Sequence, residues 1–261
     1  MRADAYIASL GIMGRDRAKE MILSGRVTIG GEKILKPSQE ITEGTKVSIL
    51  NLEEEYVSRG GKKLEYALDE FSIGVSGISA LDVGASTGGF THCLLRRGAA
   101  RVCALDSGDN QLHESLRRDE RVYSLENTNI RDVTSDILPF IPDIVTVDVS
   151  FISLSLVFPA LKNLGCESVV ALIKPQFECE KSSIGKKGVV RDKKSHINAI
   201  KSVILSAGED GYSLAKLTYS PLKGPEGNIE FLAHFIKGQT SSVKIDEIKR
   251  TVERAHIYLK G

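Results

Sequence analysis

Short apolar runs and amphipathic stretches alternate from about residue 78 to residue 237. The runs fall at 78–84, 100–106, 121–126, 142–148 and 168–174, each bounded by glycine, proline or polar residues, which is how buried strands read. Stretches with helical apolar spacing lie at 90–98, 110–119, 155–164 and 196–211, and another, at 58–71, precedes the first run. Strand–helix alternation of this kind predicts a parallel, doubly wound sheet with helices on both faces, an α/β fold. Two further strand-like segments, 212–220 and 228–237, are joined by a short loop, so one antiparallel strand is expected at the end of the sheet. Residues 244–259 read as a closing amphipathic helix.

The first fifty residues have a different texture. Two short helices are predicted at 2–10 and 14–25, the second stopped at Gly25. Two strands follow around Gly30-Gly31, and a closing strand ends near residue 50. A module of this size buries little apolar area, and such modules serve as appendages that grip something. The acidic segment NLEEEYV, 51–57, reads as the linker to a main domain over 58–261.

Bulk properties narrow the function. The formal net charge is +1, so nucleic-acid affinity must come from local patches. Cys93, Cys103, Cys166 and Cys179 form no CxxC pair, so neither zinc nor a disulfide framework is expected, and no other metal site stands out. Charges interrupt the N-terminal stretch too often for a signal peptide, and no apolar run reaches the length of a membrane span. The expectation is a cytoplasmic protein that takes no membrane partner.

The stretch LDVGASTGGF, 81–90, is a strand end, an acid and a glycine-rich turn opening a helix, the arrangement that holds a nucleotide close to backbone. Neither GxxxxGK[ST] nor GxGxxG is present, which disfavours a triphosphate or a pyrophosphate. Asp82 sits at the end of the first strand. Asp106 ends the second, where a carboxylate can accept both ribose hydroxyls. Acids beside the loop repel phosphate and suit a cation; S-adenosylmethionine carries a sulfonium and no phosphate. The candidate cofactor residues are Asp82, Gly84, Ser86, Thr87, Gly88, Gly89, Phe90, Asp106 and Asn129.

Open α/β sheets place ligands at the carboxyl ends of their strands. Asp148 ends the fourth strand and Lys174 the fifth. If the last strand is antiparallel, Glu230 at its start lies on the same edge, and Lys63 on the preceding helix leans over it. Two lysines and two acids suit methylation of a ribose 2'-hydroxyl, a poor nucleophile that must lose its proton. A lysine serves as base when burial or a second cation disfavours its charged form. Lys174 is the candidate base, Asp148 orients it or faces the sulfonium, and Lys63 and Glu230 hold the hydroxyl and the network.

Lys63, Asp148, Lys174 and Glu230 resemble the Lys-Asp-Lys-Glu tetrad of FtsJ-like ribose 2'-O-methyltransferases. VSRGGKKL, LDVGASTGGFT, VDVSFISL, IKPQFE and GPEGNIEF resemble, more narrowly, the TlyA (haemolysin A) family of rRNA methyltransferases. The doublet GGKKL offers Lys62 and Lys63, and the residue next to Leu64 fits the family pattern better. The first fifty residues resemble the S4-type RNA-binding module. The resemblance implies a Rossmann-like methyltransferase domain with a small α+β S4-type domain, methylation of cytidine 2'-oxygens in 16S and/or 23S rRNA, and rRNA and ribosomal subunits as partners.

Between 181 and 201 the chain carries seven Lys/Arg and one Asp, directly after the Lys174 strand, where a basic loop meets phosphates. Candidate RNA contacts are Arg2, Arg15, Arg17, Lys19 and Arg26, expected on one face of the small domain, together with Arg59, Lys186, Lys187 and Arg191. No aromatic-rich RNA-binding pattern appears, so shape and backbone recognition is expected over stacking readout. The runner-up reading is a non-catalytic RNA-binding or ribosome-assembly protein that binds S-adenosylmethionine. A haemolysin-like activity lacks a spanning segment, a dehydrogenase lacks GxGxxG, and a pseudouridine synthase lacks its catalytic Asp context.

Overall fold

The computed structural model describes residues 1–50, 56–185, 187–241 and 243–259. The chain divides into two compact units, Met1–Glu55 and Tyr56–Gly261.

In the first unit, α1 (Ala3–Ser9) and α2 (Arg15–Leu23) pack on a three-stranded antiparallel sheet of β1 (Val27–Ile29), β2 (Glu32–Ile34) and β3 (Val47–Ile49), in the order β2-β1-β3. Ala3, Tyr6 and Ile7 of α1 and Ala18, Met21 and Ile22 of α2 recur at helical spacing, and they close over Val27, Ile29 and Ile34. The β1–β2 turn uses Gly30 and Gly31 at φ +63° and +87°, the left-handed values a two-residue hairpin of this type requires.

The second unit opens with α3 (Gly60–Phe71), whose Leu64, Ala67, Leu68 and Phe71 form one buried stripe. Then come β4 (Ser79–Val83), α4 (Gly89–Arg96), β5 (Arg101–Leu105), the single turn α5 (Glu114–Arg117), β6 (Val122–Leu125), β7 (Ile144–Val147), α6 (Phe158–Asn163), β8 (Ser168–Ile173), the single turn α7 (Pro175–Glu178), α8 (Lys193–Glu209), β9 (Tyr212–Tyr219), β10 (Phe231–Lys237) and α9 (Ile245–Tyr258). The sheet order is β6-β5-β4-β7-β8-β10-β9. Neighbours from β6 to β8 are parallel, whereas β10 runs antiparallel to both β8 and β9. The last strand in sequence is thus the antiparallel one and inserts beside β8, which puts Glu230 on the same sheet edge as the carboxyl ends of β7 and β8. β4 and β5 pair one way and β4 and β7 the other, so the strand order reverses at the carboxyl ends of β4 and β7. Apolar layers cover both sheet faces, as continuous burial along β4, β7 and β8 requires.

The expected linker ends earlier than residue 57. Residues 51–55 lie outside the described ones, and Tyr56 already belongs to the second unit's core. Its ring is buried, its hydroxyl donates to Glu65 at 2.7 Å, and the Arg96 guanidinium lies 5.0 Å over it. Asp192 caps α8 by accepting from the Ser195 N–H at 2.8 Å, which starts that helix at 193, earlier than its apolar pattern does. The turn α7 follows Lys174 directly, because Pro175 suits a first helical position.

Helices α3 and α4 approach through glycines. A Cβ on Gly89 would stand 2.2 Å from Ser58 Oγ and 2.9 Å from the Gly61 backbone nitrogen. Gly89→Ala must push the helices apart and is expected to cost about 1–3 kcal/mol. The midpoint of thermal unfolding, followed by circular dichroism, should fall by several degrees.

Candidate active site

A cavity of about 790 Å³ opens at the carboxyl ends of β4, β5 and β7, where the strand order reverses. Gly84, Ser86, Asp106, Asn129 and Asp148 line it. Gly84 has φ +81°, and a Cβ there would lie 2.7 Å from the Asp148 carbonyl oxygen. Only glycine lets the β4 loop pass this close to the β7 end. Ser86 also adopts a left-handed backbone, φ +47°, and its N–H donates to Asp106 Oδ2 at 2.7 Å. The Gly108 N–H donates to the other oxygen of Asp106, also at 2.7 Å. The carboxylate is fixed by two backbone donors, and each of its oxygens retains acceptor capacity for a ligand hydroxyl. Asn129 turns its side-chain oxygen onto the Arg131 N–H and Nε, both at 3.1 Å, capping the turn at 130–132.

The second half of the glycine-rich loop does different work. Gly88, at φ +94°, leaves room for Leu112 and Leu116, Gly89 meets α3, and Phe90 is buried in the apolar core. The Thr87 carbonyl accepts from the His113 N–H at 3.2 Å. None of these four lines the cavity.

Asp82 corrects its expected role. It is fully buried and does not line the cavity. Its Oδ2 accepts from the Thr91 N–H at 2.9 Å and the Thr91 hydroxyl at 2.7 Å, and its Oδ1 accepts from the Thr146 hydroxyl at 2.9 Å. The carboxylate stitches β4 to α4 and to β7. Burial pushes its pKa up to about 7, against the pull of the threonine hydrogen bonds and with a further push from the Asp148 charge.

Two lysine–carboxylate pairs stand at the same sheet edge. Lys174 Nζ lies 2.7 Å from Asp148 Oδ1 and donates to Ser150 Oγ at 2.9 Å. The Lys174–Asp148 contact is an ion pair rather than a directed hydrogen bond, and Oδ1 has no hydrogen-bond partner. Lys63 Nζ donates to Glu230 Oε2 at 2.5 Å, with both side chains buried. Lys62, its neighbour, is exposed. Burial raises the Glu230 carboxyl pKa above its usual range; Lys63 and, more weakly, Lys174 oppose this, while Asp148 adds to it, so the four groups share one field. Gly224 makes room for this acid, since a Cβ there would stand 2.6 Å from Glu230 Oε1.

The cavity also has walls the sequence reading passed over: Ser107, Gly108, Gln111, Arg131 and Ser150 to Ser153. Most directly continue strand ends already marked by Asp106 and Asp148, and that continuity was the available signal. Phe151 is the most conspicuous. It is 91% exposed, has φ +64° and lies 5.2 Å from the Phe177 ring.

Of the basic candidates, Arg59, Lys187 and Arg191 are exposed, and Lys186 lies outside the described residues. In the small unit, Arg2 and Arg15 come together on Asp4. Arg17 and Lys19 instead pair along α2 with Glu20 and Asp16, and Arg26 is half-buried at the end of that helix's turn.

A family model for FtsJ-like methyltransferases matches residues 56–237, and one for the S4 domain matches residues 1–47. The chain is 43% identical over 236 residues to the 16S/23S rRNA (cytidine-2'-O)-methyltransferase TlyA of Mycobacterium tuberculosis, covering 88% of this chain and 87% of that one. The chain belongs to the FtsJ-like methyltransferases, in the TlyA group. It is also 35% identical over 257 residues to the 23S rRNA (cytidine-2'-O)-methyltransferase TlyA of Campylobacter jejuni, covering 91% and 100%. A solved Streptococcus thermophilus structure, described as a candidate hemolysin, superposes with a TM-score of 0.79 at 40% identity, covering 99% of this chain and 96% of that one. Among the described residues, no helix is long and apolar enough to cross a membrane, and no three His, Cys, Asp or Glu side chains are grouped to hold a metal ion.

The buried Asp82 carboxyl gives a pH signature. Its pKa is raised from an ordinary 3.8 to about 7. Between those values the native state holds a proton that the unfolded chain has lost, so this group's contribution to stability falls as pH rises across that window and is constant above it. In Asp82→Asn, the amide nitrogen can donate to Thr146 while its oxygen keeps the Thr91 contacts, and the titration is gone. The difference in unfolding free energy should shift in the variant's favour by about 1–4 kcal/mol from pH 4 to pH 8. A difference independent of pH, from denaturant unfolding of both proteins, would overturn this account of Asp82.

Proposed function

We propose that this protein transfers a methyl group from S-adenosylmethionine to the ribose 2'-hydroxyl of a cytidine in ribosomal RNA, with Lys174 as the base. The observation that carries the reading is the Lys174 ammonium at 2.7 Å from Asp148, a carboxylate that lines the cavity together with Asp106. The names of the relatives support the substrate, and the S4 domain supports an RNA partner.

The residues fit that cofactor. The cavity volume is in the range of small-molecule sites. Two carboxylates on its wall attract a sulfonium and an ammonium and repel a phosphate. Asp106 accepts ribose hydroxyls, and the Gly84–Ser86 backbone takes the close approach. When bound, S-adenosylmethionine supplies the electrophilic methyl group. In its neutral form Lys174 accepts the 2'-hydroxyl proton at Nζ, and Asp148 and Ser150 hold the resulting ammonium. The buried Lys63–Glu230 pair supplies a fixed donor to the ribose from the other side. Lys187 and Arg191 meet phosphates at the rim.

The test is transfer of labelled methyl to purified, unmodified 30S and 50S subunits, with alkali resistance of the labelled linkage as readout. A 2'-O-methyl blocks alkaline cleavage on its 3' side. Label in an alkali-resistant dinucleotide is expected on at least one subunit, and Lys174→Ala should abolish it while leaving S-adenosylmethionine affinity within about twofold. No label on either subunit, with the cofactor still bound, would favour a binding protein.

Phe151 yields a separate expectation. A large aromatic with left-handed backbone is strained, and the Phe177 ring beside it leaves it almost wholly in water. Its ring is a stacking platform for the target base, which must leave its own stack to reach Lys174. Phe151→Ala should weaken RNA engagement by about 1–3 kcal/mol, seen as a raised KM for the subunit, with cofactor affinity unchanged; Phe151→Tyr should retain most activity.

A further inference from the structure

The small unit carries eight Lys/Arg and six Asp/Glu in its first fifty residues. An excess this small leaves geometry, rather than gross charge, to supply any grip on a polyanion. One geometric feature stands out. The Asp4 side chain is 0% exposed, yet the two guanidiniums on it, Arg2 and Arg15, are 48% and 53% exposed. Arg2 forks onto Asp4, Nε to Oδ1 and Nη2 to Oδ2, both at 3.0 Å. Arg15 Nε reaches the same Oδ2 at 3.4 Å. The Ala5 N–H donates to Oδ1 at 2.9 Å and fixes the carboxylate from behind. The Asp4 N–H donates to the Pro37 carbonyl at 3.1 Å, which ties the backbone of α1 to the sheet side of the unit. The Asp4 pKa is held down to about 2, chiefly by the Arg2 hydrogen bond, so the carboxylate is charged throughout the working range.

Each arginine has donors left over. A guanidinium carries five N–H groups; Arg2 spends two on Asp4 and Arg15 spends one. The remainder are not spent on Asp4, and both side chains are about half exposed. Because both guanidiniums meet on one carboxylate oxygen, their outward donors lie within reach of a single phosphodiester, for which planar forks are suited.

We infer that Asp4 is a positioning residue that fixes Arg2 and Arg15 as a two-pronged clamp for one RNA phosphate. The inference rests on the RNA-binding reading above and deepens it. Charge alone predicts the opposite sign. A carboxylate beside a phosphate repels it, so removing Asp4's charge would tighten RNA binding and steepen its salt dependence by nearly one ion. A clamp predicts that binding weakens, because two long side chains must then be ordered on contact.

The experiment compares full-length wild type, Asp4→Asn, Arg2→Lys and Arg15→Lys for binding to unmodified in-vitro-transcribed 16S and 23S rRNA, by filter binding from 50 to 300 mM KCl. Thermal melting checks that each variant is folded. Asp4→Asn should bind roughly five- to tenfold more weakly with no steeper salt slope. Each Lys variant, which keeps the charge and loses the fork, should bind about threefold more weakly. Equal or tighter binding by folded Asp4→Asn overturns the clamp. Should Asp4→Asn not fold, the Lys variants decide, and wild-type affinity in both overturns it. Failure of the wild type to bind either RNA, together with absence of methyl transfer to both subunits, would instead overturn the functional reading itself.

Discussion

The methyltransferase half of this protein is organised around a carboxylate buried inside the sheet. Asp82 sits in the middle of the sheet, out of water, and accepts from a helix, through Thr91, and from the neighbouring strand, through Thr146. A buried acid with three donors can be satisfied in only one arrangement of β4, β7 and α4, because any slip leaves a buried polar group unpaired. That arrangement sets where β4 hands over to its loop and where β7 ends. Gly84 then passes against the Asp148 carbonyl with no room for a side chain, and Asp148 reaches the cavity from the opposite lip. The charge of Asp148 is felt at Asp82, so the structural acid and the site acid belong to one electrostatic unit.

The glycine-rich loop divides accordingly. Its first half, Gly84 to Ser86, is shaped for the cavity: left-handed at both ends, with the Ser86 N–H holding Asp106 in place. Its second half is shaped for packing, with Gly88 and Gly89 admitting α5 and α3 and Phe90 filling the core between them. Strain tolerated at Ser86 and at Phe151 falls on the two lips of one cavity. Everywhere else along β4, β7 and β8 the backbone is regular and buried, as expected when irregularity is confined to where a ligand is handled.

Much of this was legible in the chain. Apolar runs of strand length located every strand of the large sheet, because buried parallel strands carry no polar interruption to confuse their limits. The Gly84, Asp106 and Asp148 positions followed from strand ends, and the pairing of Lys63 with Glu230 needed only the antiparallel last strand. Asp82 was misjudged for a physical reason. Alternation along a strand decides which face a side chain takes, and in a strand buried on both faces that signal disappears, so an acid one residue before a loop reads the same whether it points at a ligand or into the sheet. Thr91 and Thr146 would have resolved it, but each is unremarkable until the fold brings them together. The basic residues of the small domain show what a count along the chain leaves out. Positive charges were counted along the sequence, while Glu20 and Asp16 neutralise Arg17 and Lys19 one turn away on the same helix, an i,i+3 relation that periodicity makes available.

For a nearly neutral chain, net +1, the proposed reaction on a polyanion sets up a conflict. The acids that suit a sulfonium and hold lysines in place, Asp106, Asp148 and Glu230, also repel the RNA backbone. Burial resolves part of it: Glu230 is almost wholly removed from solvent, and Asp148 is matched by Lys174, so little negative potential reaches outward. The rest is resolved by location. Exposed cations that would meet phosphates, Lys187 and Arg191, stand on a loop outside the cavity, and Arg2 and Arg15 stand in a separate unit. In both units a buried carboxylate holds cations in place, Glu230 for Lys63 and Asp4 for Arg2 and Arg15. Placement of this kind depends less on ionic strength than a diffuse basic surface does, since it uses a few directed contacts in place of many released counterions.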